Sequence, residues 1–296
     1  VIEPHAGNPR ILRGVRDALE LTIEIDGVPT NADAAVTVTV TRADGRVVAT
    51  DAATTHPSGD AGTGVYRYVL AALDVAEVDV LTAAWTATVA AVEHVFTTTH
   101  EIVGGFYISV AEIRAEKAPN GGLEDVGRYP DRSLIEARAW FEDLFEDNVN
   151  VAQVPRYALE RFTGNGGRWI RLREHYAIRR LLSVIVDGDE ADLAGLRLEG
   201  SGVAWDTGGS FTRNDEVLVS YEHGLDRPDF EVQRAALTAI AGKLRQEKSS
   251  IPERALSMTN DAGTFSLSFA GPDRPTGIPP VDSVISARRD ALPLVG

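Results

Sequence analysis

From Ala18 to Val103 the apolar residues recur at nearly every second position, and no other feature of the sequence constrains its fold so tightly. Leu19, Leu21, Ile23 and Ile25 alternate with Glu20, Thr22, Glu24 and Asp26, and Val36, Val38 and Val40 alternate with Thr37, Thr39 and Thr41. Successive side chains of a strand point to opposite faces, so each run predicts one buried and one solvated side. Asp44-Gly45 follows as a hairpin turn signal that delivers the chain into Val47 and Val48. Further strands are expected over Val65 to Leu70, Leu81 to Val89 and Val95 to Val103. Roughly six or seven short strands in about a hundred residues predict a β-sandwich, with Trp85 as a core aromatic between its sheets.

Beyond Gly104-Gly105 the period changes. Val110 to Lys117 reads as a short helix and the glycine-rich stretch to Pro130 as a loop or linker. Asp131 and Ser133 then precede Leu134 as a helix-start signature, with Glu136 in the first turn. Leu134, Ile135, Phe141, Leu144 and Phe145 recur near helical spacing between Arg138, Glu142, Asp143 and Glu146, which predicts an amphipathic docking helix. The Pro155-led segment PRYALERF reads as a short helix closed by Gly164, Gly166 and Gly167. Strands are expected at Trp169 to Leu172, Leu181 to Val186, Val203 to Trp205 and Glu216 to Tyr221, with Asp187-Gly188 as a turn. A second amphipathic helix is expected from Pro228 to Lys248, with Phe230, Leu237, Ile240, Ala241 and Leu244 on one face. Ser249 to Pro293 is polar and rich in Gly and Pro. Phe265, Leu267 and Phe269 alternate there like a strand, and Val281 to Leu292 is a helix candidate. An arm of this composition folds against something else.

Composition narrows the function. A net charge of −15 and a pI near 4.8 argue against broad nucleic-acid binding, which needs cations along the phosphates. The sequence contains no cysteine, so disulfides and thiolate chemistry are excluded. Val1 to Arg16 has no apolar core of signal-peptide type, and the greasiest run, Val78 to Val92, is shorter than the ~20 residues that span a bilayer. The expectation is a soluble protein made in a cytoplasm.

No chemistry-bearing constellation emerges. The six histidines lack metal-ligand spacing, and Asp187 to Asp192, DGDEAD, lacks the glycine and closing glutamate of a calcium loop. Gly164-Asn165-Gly166-Gly167 lacks the Lys and Ser/Thr of a phosphate cradle. We therefore expect no catalytic residues, no cofactor and no metal. Arg179-Arg180 and Arg288-Arg289 read first as solvated charge at element ends.

The order of pieces, an ARAWFE helix, a Pro-led helix, a Trp/Leu strand and LLSVIVDG, with TGIPPVDSVISARRDAL near the C-terminus, resembles the head-to-tail connector (adaptor) proteins of long-tailed bacteriophages. GTGVYRYVL followed by LTAAWTATV is similar to immunoglobulin-like modules of bacterial and phage surface proteins. Together these imply a multidomain chain. Residues 1–105 would be an all-β immunoglobulin-like sandwich, 106–130 a linker, 131–250 an α+β, mainly helical connector domain with a small antiparallel sheet, and 251–296 an extended C-terminal docking arm. The resemblance implies a virion protein of the neck, assembled in the host cytoplasm. It would form a ring, twelve-fold to match the portal, and would contact the portal and the next connector (stopper) or tail protein. DNA would pass through without specific binding, and no membrane is involved. The residues expected at partner interfaces are Trp140, Phe141, Phe265, Phe269, Ile278, Val284, Ile285, Arg288 and Arg289, the two arginines as guanidinium forks for a neighbour's carboxylates. The alternative is a surface-binding protein whose immunoglobulin-like domain recognises carbohydrate or a cell surface.

Overall fold

The computed structural model of the chain describes residues 2–57, 63–116, 122–173, 177–206, 208–248, 257–260, 263–266, 271 and 274–290. Packing divides the chain into two compact units, Val1–Gly105 with Val154–Asp226, and Phe106–Gln153 with Arg227–Gly296.

The first unit opens with strands β1 (Ile2–Ala6), β2 (Arg10–Leu12), β3 (Ala18–Ile25), β4 (Val28–Pro29), β5 (Thr37–Arg42), β6 (Val47–Ala53), β7 (Val65–Val69), β8 (Asp79–Val89) and β9 (Val92–Val103). One sheet runs β1-β3-β4 with β7 also on β3, and the other runs β2-β9-β8-β5-β6. All pairings are antiparallel except β2 with β9. The period of two sorts the residues as expected. Leu19, Leu21 and Ile23 face Val38, Val40, Leu81 and Trp85 across the core, all fully buried. Trp85 donates from Nε1 to Thr98 Oγ1 at 2.9 Å, Thr98 Oγ1 lies 2.9 Å from His100 Nε2, and His100 Nδ1 lies 2.7 Å from the Asn8 carbonyl. Nδ1 can only donate to that carbonyl, which leaves Nε2 to accept from Thr98. Burial holds the His100 pKa below its ordinary value, against the Asn8 carbonyl and Asp17, which favour the proton.

The same unit continues with β10 (Arg156–Thr163), β11 (Trp169–Arg171), β12 (Ile178–Val186), β13 (Asp189–Glu190), β14 (Leu196–Glu199), β15 (Gly202–Trp205) and β16 (Glu216–His223). They form sheets ordered β10-β16-β12-β13 and β11-β15-β14 around Val184, Val203, Phe211, Val217, Val219 and Tyr221. Asp187 and Gly188 both take positive φ, 50° and 89°, between paired Val186 and Asp189, so DGDEAD opens with a two-residue hairpin turn and continues as β13.

This part corrects the expectation of a mainly helical domain over 131–250: the chain is mostly β, and seven of the described strands lie within that range. The Pro155-led segment is not a helix. Residues 156–163 pair in register with all eight residues of β16. Its inward positions include Arg156 and Glu160, both buried, so the alternation is invisible on a hydrophobicity scale while Ala, Leu, Glu and Arg favour helix locally. Strand pairing overrides that preference.

The second unit contains α1 (Val110–Ala115), α2 (Asp131–Val149), α3 (Phe230–Glu247), a hairpin of β17 (Ser257–Asn260) and β18 (Gly263–Ser266), and α4 (Pro279–Asp290). α1 starts with a reciprocal capping box between Ser109 and Glu112. α2 starts at Asp131 as expected, but Pro130 occupies its N-cap and no side chain caps it; Asn150 ends it in the left-handed region at φ 58°. The expected linker supplies Tyr107, Leu123 and Tyr129, all buried. Tyr107 meets Phe141 and Phe145 edge-on at 6.3 and 5.7 Å, accepts from Gln153 N at 3.0 Å and donates to Glu146 at 3.1 Å. The described part of the C-terminal arm is not extended throughout: α4 packs against both α2 and α3.

Candidate functional site

Within the first unit, the sandwich and the β10–β16 layers are joined through two carboxylates, Glu222, which is buried, and Glu101, which is partly so. Glu222 of β16, 2% exposed, takes Arg179 Nε on Oε1 at 3.0 Å, and Arg180 Nε and Arg13 Nη1 on Oε2, each at 2.9 Å. Arg13 follows β2 of the sandwich, and Arg180 also reaches Glu77 there. Glu101 of β9 holds Arg10 at 3.0 Å and the buried Arg156 of β10 at 3.4 Å. Arg179 and Arg180 are thus paired, not free solvated charge. Hydrogen bonding to Asp226 raises the Arg179 pKa and hydrogen bonding to Glu77 raises that of Arg180, with burial opposing both.

Beside this seam lies a cleft of about 550 Å³ lined by both parts, including Arg42, Asp44, Asp79, Tyr157, Arg180 and Leu193. Its charges are internally matched: Arg42 meets Asp79 at 2.6 Å and Asp44 meets Arg46 at 2.6 Å. Burial pushes the Asp44 pKa up, but the Arg46 hydrogen bonds and charge outweigh it and hold the carboxyl below its usual range. Burial, with Asp79 and Asp44 nearby, pushes the Tyr157 hydroxyl well up, only partly opposed by its hydrogen bond to Ser220. Tyr157 therefore stays a neutral phenol among paired ions. Among the described residues no group of three or more His, Cys, Asp or Glu converges as a metal site.

The four aromatic residues of the sandwich, Tyr66, Tyr68, Trp85 and Phe96, all pack into or against its core. The outer face of the five-stranded sheet carries Thr82, Thr97 and Thr99, exposed. That face therefore offers threonine hydroxyls where sugar binding would call for stacked rings.

The expected interface residues fall mainly in the second unit, in contrasting places. Phe141 is fully buried against Tyr107 and Phe145, whereas Trp140, one position before it, is half-buried with Lys243 Nζ 5.1 Å from its ring centroid. On α4, Ile285 is buried, Val284 half-buried and Arg289 exposed. Arg288 pairs within its own unit, with Asp229 and with Glu231 at 3.4 Å, rather than waiting for a neighbour's acid. Ile278 is half-buried, and a Cβ on Gly242 would meet its Cδ1 at 3.0 Å, so that glycine lets the chain before α4 approach α3 closely. The side chain of Phe265 and the whole of Phe269 lie outside the described residues.

Local sequence explains how α4 is set. Gly277 takes φ 69°, the Thr276 hydroxyl accepts from Ile278 N at 3.1 Å and donates to Asp282 Oδ1 at 2.6 Å, and Pro279 and Pro280 open the helix where no backbone donor is missed. Between α3 and α4 runs a groove of about 590 Å³ floored by Ala235, Thr238, Val281, Val284 and Ala287. At the start of α3 stands Phe230, 74% exposed, a correction to its expected place on the buried face. Val232, Ala236 and Ala239 share that face with the expected Ile240, Ala241 and Leu244.

No helix among the described residues is long and apolar enough to cross a membrane. No protein-family model matches the chain, and no curated protein matches it. Several solved chains are similar in part, two of them from phage-like particles. One is a chain of the virion of a native gene transfer agent particle, with a TM-score of 0.43 and 14% identity, covering 64% of this chain and 93% of that one. The other is a chain of the neck of an empty gene transfer agent particle computed with C6 symmetry, with a TM-score of 0.42 and 18% identity over the same shares. Both scores lie under 0.5, weaker than a shared fold.

Proposed function

We propose that this chain is a structural protein of a phage-like virion: a head-to-tail adaptor that forms a ring beneath the portal and joins capsid to tail around a DNA channel. The observation that carries the reading is α4. The stretch TGIPPVDSVISARRDAL, one of the motifs on which the adaptor resemblance rests, contains a helix tied to Thr276 through Asp282 and packed on α2, which carries the ARAWFE motif, and on α3. Two of those motifs therefore meet in the second unit, while PRYALERF, the Trp/Leu stretch and LLSVIVDG lie as strands in the first.

The partners on this reading are the portal, the next connector or tail protein, and further copies of the chain in a ring matching a twelve-fold portal. The work is association, without catalysis or cofactor. A net charge of −15 suits a channel through which DNA must slide without sticking. The test is quantitative mass spectrometry of purified particles, counting this chain against the portal protein. Equal copy numbers support a neck ring. Hundreds of copies would make it a tail or capsid decoration protein, and absence from the particle would overturn the reading altogether.

A further inference from the structure

We propose that the solvent face of the β11-β15-β14 sheet is a binding platform for a neutral polysaccharide, with Trp169 as the ring on which a sugar stacks. Directly paired residues of neighbouring strands share a face. Trp169, Ala204 and Arg197 therefore stand in one row across the three strands, and Arg171, Gly202 and Glu199 in the next. The alternate positions Ile170, Val203 and Leu196 are buried in the core, so the two rows look outward. Trp169 is 41% exposed. A Cβ on Gly202 would meet its Nε1 at 2.4 Å and its Cε2 at 2.5 Å, and Nε1 donates to the Glu199 carbonyl at 3.5 Å. The indole is thus laid across the middle strand on a glycine, the one residue that leaves room for it. Its N–H is turned to the backbone, and the ring face is what it offers a ligand.

The neighbouring charges decide which ligand fits. Arg171, Arg197 and Glu199 share the face with the ring, and Asp206 follows β15; all four are exposed, with Arg197 at 3.3 Å from Glu199 and 3.5 Å from Asp206. Arg168 donates instead to the carbonyls of Trp205 and Asp206. A nucleic acid would set its phosphates against Glu199 and Asp206, where binding needs an excess of cations. Guanidiniums and carboxylates side by side suit a neutral ligand rich in hydroxyls, since they donate to some and accept from others. The face of an indole is electron-rich and attracts the weakly positive C–H groups that a pyranose ring presents on one side. The proposal stands apart from the virion reading: either can fail without the other.

The test runs the full chain in native gels containing glucans, galactans or polymers of N-acetylglucosamine, and measures the affinity for soluble oligosaccharides of any polymer that retards it. Retardation by at least one polymer is expected. Trp169→Ala should weaken binding about tenfold. Arg171→Ala with Glu199→Gln should weaken it while leaving the ring in place, and Trp140→Ala, in the second unit, should bind like the parent. Melting temperatures show that each variant is folded; should Trp169→Ala lose its fold, the Arg171/Glu199 variant decides alone. Retardation by none of the polymers overturns the proposal, and so does binding that survives these substitutions. Capture of a single-stranded oligonucleotide in place of the glycans, lost in Trp169→Ala, would overturn it too, by making the platform a seat for a base.

Discussion

Arg180 donates from Nε to the buried carboxylate of Glu222 at 2.9 Å while its Nη2 reaches Glu77 of the sandwich, so one guanidinium ties two layers of the first unit together. A regular strand would send Arg179 and Arg180 to opposite faces. The register of β12 against β16 slips between Ile178 and Arg180, and that bulge brings both arginines onto the same carboxylate.

Glu222→Gln should therefore destabilise the first unit without changing its fold. The variant keeps the shape but strips the charge that three guanidiniums share, on a side chain only 3% exposed. Breaking a buried pair costs several kcal/mol, but these arginines are about a third exposed and water screens them, so a loss of about 2 kcal/mol is expected. Urea unfolding of the full chain measures it; a change within 0.5 kcal/mol, roughly that of a neutral surface substitution, would show the cluster to be energetically idle.

The β8–β9 hairpin turns through Ala90 and Ala91, both at positive φ, 51° and 61°. Alanine resists that region, and the turn is held by Asp33, whose carboxylate accepts from Ala91 N at 2.7 Å. Replacing the pair by Asn-Gly should stabilise the protein by about 1 kcal/mol, seen as a higher melting temperature.

Adjacent positions on α2 should respond very differently. Phe141→Ala removes a ring with no exposure and should cost about 3–5 kcal/mol. Trp140→Ala loses a half-buried ring beneath Lys243 and should cost about 1 kcal/mol. Denaturation midpoints of the two variants, side by side, check the ordering; equal costs would contradict the packing of α2.

His100 makes the sandwich sensitive to mild acid. Its folded pKa is depressed below 6.5 by burial, so between the two values the unfolded chain binds a proton that the native one refuses. The contribution is complete above pH 6.5 and is lost as pH falls toward the folded pKa, at up to about 1.4 kcal/mol per pH unit. Unfolding free energies from pH 7.5 to 5 should show this slope, and His100→Gln should flatten it while lowering stability at pH 7.5.

The sandwich was legible in the sequence because its strands bury mostly apolar side chains on their inner faces, Thr98 and His100 of β9 aside, so chemistry and geometry share one period. Leu19, Leu21, Ile23, Val38, Val40 and Trp85 all lie where alternation puts them. The amphipathic helices were legible for the same reason at their own period, Phe141 and Phe145 with α2 and Ile240 and Leu244 with α3. What the sequence could not determine is every feature in which a charged side chain faces inward or a distant segment supplies the partner. β10 hides its alternation because Arg156 and Glu160 are buried, and partners elsewhere in the chain, among them Glu101, Tyr221 and the Arg173 amide, make that burial tolerable. The joining of the sandwich to the second set of sheets rests on Arg13 and Glu77 meeting residues more than a hundred positions on. Local periodicity reports the solvent a residue avoids. Which charges meet, and which strand a helix-favouring segment joins, are settled by pairing energies that exist only once the tertiary structure has formed.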